Sequence, residues 1–154
     1  MKNKSIPLDY VNSIMFDLEK AFWDERGKGA RFRTTKVGNE YFIDKCLPLI
    51  QIPELDHILN KITDVLQNEG IAGKVSYNKE DRLVKVQVEG CVHRHIEERM
   101  NANDIEPFTC IPANLIVLAI EEKLNQPVEL AEIKLEDGVC NLLLVLFEKR
   151  PELK

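Results

Sequence analysis

The chain has 154 residues, of which 44% are hydrophobic and 31% are charged, and its formal net charge is −5. This length suits one domain with a hydrophobic core, and the composition is that of a globular rather than a disordered protein. The acidic balance argues against a nucleic-acid partner, because that function needs a basic surface. The longest apolar runs, 115–120 and 142–147, are far shorter than the ~20 residues that span a bilayer, so no membrane segment is expected.

The N-terminus carries no pattern typical of secretion. Its basic first residues are followed by Asp9, Asp17 and Glu19 instead of an apolar signal region, so the sequence predicts a cytoplasmic protein. In a reducing compartment, cysteines are expected to be thiols or metal ligands rather than disulfides. The chain has four of them: Cys46, Cys91, Cys110 and Cys140.

The N-terminal part of the chain is predicted to be helical. Hydrophobic residues recur at helical spacing over 8–25, with Asp17 and Glu19 assigned to other faces, and Gly27 ends this helix. A basic, glycine-containing stretch at 28–36 is typical of a solvated loop, with an anion-binding patch as the alternative. A short helix or extended link is expected over 44–51, and a second amphipathic helix is expected between Pro53 and Gly70.

The periodicity then changes to two, which predicts β-strands. One hairpin is expected over 71–89, a short polar helix over 94–102, a strong helix over 112–125, and a second hairpin over 128–147. The last strand is almost wholly apolar, which predicts a central strand covered on both faces. The chain is therefore predicted to be an α+β domain in which N-terminal helices pack on an antiparallel sheet of two hairpins flanking a helix, ββαββ.

Cysteine and histidine side chains cluster in the second half. Cys91, His93 and His95 alternate, so in an extended chain all three would point the same way. Thiolate and imidazole together suit a transition metal such as zinc or iron, although this spacing is no standard zinc-finger pattern. The alternative is a buried thiol beside two solvated histidines.

Two further cysteines lie at positions that favour a reactive or metal-binding role. Cys110 opens the helix over 112–125, where peptide dipoles are expected to lower its pKa and favour the thiolate. Cys140 follows the turn at Gly138, and a hairpin can bring it towards Glu132 on the preceding strand. The alternative for Cys110 is a small buried hydrophobe. Cys46 has no evident companion and is expected to be a core thiol.

The order of these residues resembles the 4-vinyl reductase domain family, which is related in fold to subunits of vesicle-tethering complexes. The resemblance covers about residues 70–147 and depends on order and spacing. Its motifs are the hairpin end Val88-Glu89-Gly90-Cys91, the helix opening Pro107-Phe108-Thr109-Cys110, the strand residue Glu132 and the second turn Gly138-Val139-Cys140. It divides the chain into an N-terminal helical segment (1–69) packed on the same domain, a core (70–148) and a tail (149–154).

The resemblance also implies a set of metal ligands. Zinc-binding members use the cysteine at the helix start, the strand glutamate and two late cysteines, which carries over only Cys110, Glu132 and Cys140. The fourth donor is expected from the group Cys91, His93 and His95. The chain departs from the family at Leu135, where a cysteine is frequent, in its shorter last turn, and at Asn114 and Leu118, which replace helix glycines.

Three functions are compatible with this sequence. The resemblance implies a sensory or regulatory module without catalysis that binds a small hydrophobic molecule between helices and sheet, or a metal; Leu115, Leu118 and Leu144 are the expected apolar lining, although they also suit an ordinary core. The alternative is a homodimeric adaptor that dimerises through the first helix, with its aromatic residues Phe16, Phe22 and Trp23. The third is an enzyme with Cys110 as nucleophile and His93 or His95 as base.

Overall fold

The computed structural model describes residues 5–30, 34 and 36–148. Helix α1 spans Leu8–Arg26 and is followed by a 3-10 turn at Gly27–Gly29. Helix α3 spans Leu55–Asn68. Between them, a short helical stretch named α2 consists of the consecutive turns Asn39–Tyr41, Phe42–Cys46 and Leu47–Leu49. The predicted tail at 149–154 and part of the predicted basic loop at 28–36 lie outside the described residues.

The second half of the chain contains all the strands of the sheet that the described residues form. These elements, in chain order, are β1 (Lys74–Glu80), β2 (Leu83–Glu89), α4 (Arg94–Ala102), α5 (Ile111–Leu124), β3 (Val128–Glu136) and β4 (Val139–Leu146). Neighbouring strands all pair antiparallel in the order β1-β2-β4-β3. The predicted α+β class is confirmed, and so are the two hairpins and the helices between them.

The sheet has one covered face and one open face. Val84, Val86 and Val88 of β2 are buried while Lys85 and Gln87 between them are exposed, as the alternation of residue types predicts. In β4 every second residue is buried and the intervening ones are half-exposed. Although β4 is central, the expectation that both of its faces are covered is wrong, because helices α3 and α5 share one core with the same side of the sheet.

The main core lies between α3, α5 and the covered face of the sheet. Ile58 and Ile62 of α3, Ile120 of α5 and Leu144 of β4 are each fully buried in it. Cys46 is also fully buried there, which confirms that it is a core thiol. The core therefore contains residues from both sides of position 70.

A second, smaller apolar cluster lies beneath α1. It buries Met100 of α4 together with Ala30, Ile105 and Phe108. Phe16, Phe22 and Trp23 of α1 pack against this cluster, and the Trp23 ring stacks on Phe108 with ring centroids 5.7 Å apart. The aromatic residues predicted to form an exposed dimer surface therefore face inward, because the stripe at 16, 22 and 23 is the side of α1 that covers α4. In the described part of the chain, no helix combines the length and apolarity needed to cross a membrane.

Candidate functional site

A cavity of about 370 Å³ lies between α1, α4 and the segment that leads into α5. Its walls are largely apolar side chains from these three elements. They include Met15, Leu18 and Phe22 of α1, Ile96 and Met100 of α4, and Pro107 and Phe108 before α5. The volume falls within the usual range for small-molecule sites, and an apolar lining with few polar groups is typical of them.

Specific hydrogen bonds hold α1 over the cavity. The buried Asn12 side chain donates to the backbone carbonyl of Val92, with a distance of 2.9 Å from Nδ2 to the oxygen. Arg99 of α4 donates to the Ser13 hydroxyl at 3.0 Å, and its guanidinium carbon lies 6.0 Å from the centre of the Phe16 ring. These contacts connect α1 to the β2–α4 region, which is distant in sequence.

The rim next to α2 is anchored by one buried amide. Asn114 of α5 is 2% exposed, and its Nδ2 donates to the backbone carbonyls of Thr34 and Val37 at 3.0 and 3.1 Å. The same nitrogen lies 3.2 Å from the Thr109 hydroxyl oxygen. Because Thr34, Val37 and Thr109 all line the cavity, this amide fixes the shape of its rim.

Two carboxyl groups face this apolar space from opposite sides. Glu19 projects from α1 and Glu97 from α4, and both line the cavity. Burial, with a smaller contribution from the like charge of Glu97, raises the pKa of Glu19 from 4.5 to about 7. Burial also raises the pKa of Glu97 above its ordinary value. Neither Lys nor Arg occurs among the described residues that line the cavity.

His93 adds a neutral imidazole to the same wall. It is the residue immediately before α4, and its Nδ1 is buried without a hydrogen-bond partner among the described residues. Burial lowers the pKa of His93, so the neutral ring is favoured near pH 7. A buried ring nitrogen without a hydrogen-bond partner is unusual in a folded protein.

Cysteines lie close to Glu97 beside the cavity. The Cys140 thiol donates to Glu97 Oε2 at 3.1 Å, and Cys110, which precedes α5 and lines the cavity, neighbours Cys140. The backbone N–H of His93 donates to Cys91 Sγ at 3.4 Å. Cys91, Cys110 and Cys140 therefore converge on Glu97, as the electrostatic influence of Glu97 on the first two also indicates.

The predicted low pKa of Cys110 is wrong. Its hydrogen bond with Cys140, its complete burial and the nearby Glu97 charge together raise the pKa of the Cys110 thiol well above its ordinary value. These effects outweigh the peptide dipoles at the start of α5. Burial likewise raises the pKa of Cys91 to about 11. Both thiols are protonated near pH 7, which gives no support to a nucleophilic role for Cys110.

Two of the predicted metal ligands lie away from this cluster. His95 is exposed, and its Nδ1 lies 3.3 Å from a carboxylate oxygen of Glu98. Glu132 pairs with Leu143 and is exposed on the open face of the sheet, whereas Cys140 is buried on the covered face. Over residues 5–30, 34 and 36–148, no group of three or more His, Cys, Asp or Glu side chains is arranged to hold a metal ion.

The predicted ligand-lining leucines do not line the cavity. Leu115 and Leu144 are fully buried in the main core, and Leu118 is half-buried against it. They belong to the main core between α5 and the sheet, whereas the cavity lies beneath α1.

The sequence analysis missed both cavity carboxylates, although helical spacing contains a signal for them. Glu19 belongs to the stripe 15, 18, 19 and 22, and Glu97 belongs to the stripe 93, 96, 97 and 100, whose other members line the cavity. A carboxylate within an apolar stripe is unusual, because an unpaired charge is costly to bury. Assigning Glu19 to a face other than the apolar stripe was therefore wrong.

No protein-family model matches the chain, and none of the curated proteins matches it at a significant level.

Proposed function

We propose that this chain is a sensory or regulatory module, without catalysis of its own, that binds a small apolar molecule in the cavity beneath α1. The observation that carries the proposal is the cavity itself. About 370 Å³ of largely apolar space accompanies a small set of polar groups, namely Glu19, Glu97 and His93. A largely apolar cleft of this size with a few polar groups is typical of small-molecule binding sites.

The polar groups that line the cavity favour a ligand-binding role over a purely structural one. Buried carboxyls usually pair with cationic side chains. For Glu97, however, the only described side-chain partner is Cys140, whose thiol donates a hydrogen bond to it. His93 Nδ1 has no partner among the described residues. Such groups cost folding free energy, and a ligand that satisfies them would recover it.

The kinship with the 4-vinyl reductase domain family is part of this proposal. The order β1-β2, α5, β3-β4 is compatible with it, and the apolar cavity agrees with the kind of ligand that the resemblance implies. The transition-metal site, zinc or iron, stays a prediction. Metal analysis of the purified, untagged chain tests it, with about one metal ion per chain as the supporting result.

The experiment for the proposed function uses N-phenyl-1-naphthylamine, an uncharged probe that fluoresces strongly in apolar surroundings. We expect saturable fluorescence with the wild-type protein and a rise in melting temperature on binding. The variant Met15→Trp enlarges a side chain of the cavity wall and is expected to abolish the signal.

The matched control is Ile14→Trp, at the next position of α1. Ile14 is 45% exposed and does not line the cavity, so this variant adds the same ring outside it. It should bind the probe like the wild type. Equal loss of the signal in both variants, or no saturable signal in the wild type, would contradict cavity binding.

A second candidate function, a homodimeric adaptor, is favoured by the outer face of α1. Tyr10 and Ile14 are 63 and 45% exposed, and Ile6 and Leu8 extend the same apolar N-terminal region. Contiguous exposed apolar surface is typical of interaction sites. Sedimentation equilibrium tests this candidate: Ile14→Asp should convert a dimer to a monomer, whereas a monomeric wild type would remove the adaptor function.

A further inference from the structure

The charges around the cavity are of one sign. Glu19 and Glu97 contribute two carboxyls from facing helices, and the described lining contains no Lys or Arg. Basic side chains of α1 and α4 have other described partners: Lys20 pairs with Asp24 at 2.9 Å, Arg94 with Glu98 at 3.2 Å, and Arg99 donates to Ser13 at 3.0 Å. The cavity therefore offers anionic acceptors without a described cation to pair with them.

We infer that the ligand of this cavity is a small apolar amine, whose ammonium group binds between Glu19 and Glu97 while its hydrocarbon body lies against Phe22, Met100 and Phe108. This inference deepens the proposed function and rests on it. It specifies the charge of the ligand, which the apolar walls alone do not determine.

An ammonium group matches the carboxyl groups in kind. It has three N–H donors and no acceptor, and the cavity offers the carboxyl oxygens of Glu19 and Glu97 as acceptors. Hydrogen bonds between ionised partners are about twice as strong as neutral ones, and exclusion of water strengthens them further. The rings of Phe22 and Phe108 also tolerate a neighbouring cation, because their faces attract positive charge.

A carboxylate ligand fits these surroundings poorly. Among the described residues, the titratable groups that share the cavity lining with Glu19 are Glu97 of α4, the neutral His93 just before α4, and the protonated thiol of Cys110 at the start of α5. An anion would add a third negative charge without a described basic partner, which costs free energy in a site of low polarity. An uncharged ligand would bind the walls but leave the carboxyls without donors.

Amine binding also predicts a direction of pH dependence. The ammonium attracts the ionised carboxyls, so Glu19, whose pKa is about 7, must lose its proton when the amine binds near neutral pH. An aliphatic amine itself stays protonated, like a lysine side chain, up to about pH 10. Affinity for the amine should therefore rise between pH 6 and pH 8, and binding at pH 6.5 should release protons.

The experiment compares three probes of one shape by isothermal titration calorimetry at pH 8: 2-phenylethylamine, 2-phenylethanol and phenylacetate. We expect the amine to bind at least roughly tenfold more tightly than the alcohol, and phenylacetate to bind most weakly. Titration of the amine at pH 6.5 in phosphate and in HEPES, which differ in ionisation enthalpy, measures the proton release. The variant Glu19→Gln should remove the tenfold preference, while Glu25→Gln, an exposed change on the same helix, should keep it.

The outcomes separate the two proposals. If the alcohol binds as tightly as the amine, or phenylacetate binds more tightly, the inference about the amine fails and cavity binding stands. If N-phenyl-1-naphthylamine and all three probes fail to bind the wild-type protein, both proposals fail. If the preference for the amine survives in Glu19→Gln and no proton is released at pH 6.5, the amine binds elsewhere and the inference is overturned.

Discussion

Replacing Glu19 by glutamine tests whether this carboxyl is held in the cavity at a cost to stability. The folded protein raises the pKa of Glu19 from 4.5 to about 7, so between these values the folded state binds a proton more tightly than the unfolded state. Stability should then fall as pH rises through this window and level off above it. Glutamine has the same shape as protonated Glu19 and does not titrate, so the variant should lack this decline.

The magnitude follows from the same pKa values. One pH unit corresponds to about 1.4 kcal/mol, so a rise from 4.5 to about 7 sets an upper limit of about 3 kcal/mol. Glu19 is only half-buried, and the water that reaches it reduces this figure to about 2 kcal/mol. The variant is therefore expected to match the wild type near pH 4.5 and to be about 2 kcal/mol more stable at pH 8.

Urea denaturation at pH 4.5, 6, 7 and 8, followed by tryptophan fluorescence, measures this difference. Linear extrapolation gives the free energy of unfolding, and an unchanged slope shows that both proteins expose similar surface. Glu25→Gln serves as the control because it removes one exposed charge from the same helix. If Glu19→Gln and Glu25→Gln follow parallel curves across this pH range, the carboxyl of Glu19 is not destabilised in the cavity.

Three other substitutions or reactions test the surroundings of the site. Leu144→Ala removes a fully buried side chain from the main core and should cost about 2–5 kcal/mol in urea denaturation, and a smaller loss would indicate that the core rearranges. Asn114→Ala removes the side-chain donor to the Thr34 and Val37 carbonyls, of which the former still accepts from the Val37 backbone N–H, and should cost about 2 kcal/mol; an unchanged melting temperature would contradict that role. Cys46 and Cys110 should react with Ellman's reagent at pH 7.4 only after urea is added, since both thiols are buried and protonated; rapid labelling of the native protein would refute this.

Local sequence patterns accounted for most of the fold. The change from helical to alternating spacing near residue 71 predicted the first hairpin, and Asp137-Gly138 predicted the second turn, where both residues have positive φ. Gly90 was correctly placed at the end of β2. It has φ +66°, and a Cβ atom there would lie 3.3 Å from the backbone nitrogen of Gly73, so a larger residue is disfavoured. These features depend on short stretches of chain, and short stretches are visible in the sequence.

The metal-ligand role of Cys91, His93, Cys110 and Cys140 stays a prediction. The structure places the three cysteines near Glu97, which the sequence analysis did not single out. No local sequence pattern distinguishes a cysteine whose pKa is lowered at the start of a helix from a cysteine that is buried there. Burial and neighbouring charges decide the pKa of Cys110, and they come from segments far apart in the chain.

By itself, the sequence determined the types and approximate bounds of the elements, because hydrophobic periodicity, proline and glycine act over a few residues. Only the tertiary structure decided that α1 lies over α4, held by the hydrogen bond from Asn12 to Val92 across 80 positions of chain. That packing forms the cavity and turns Glu19 and Glu97 from helix-surface residues into cavity-lining carboxyls with raised pKa values. The reason is physical: the cost of burying a charge depends on what surrounds it in space, and the spacing of residues along one helix does not contain that information.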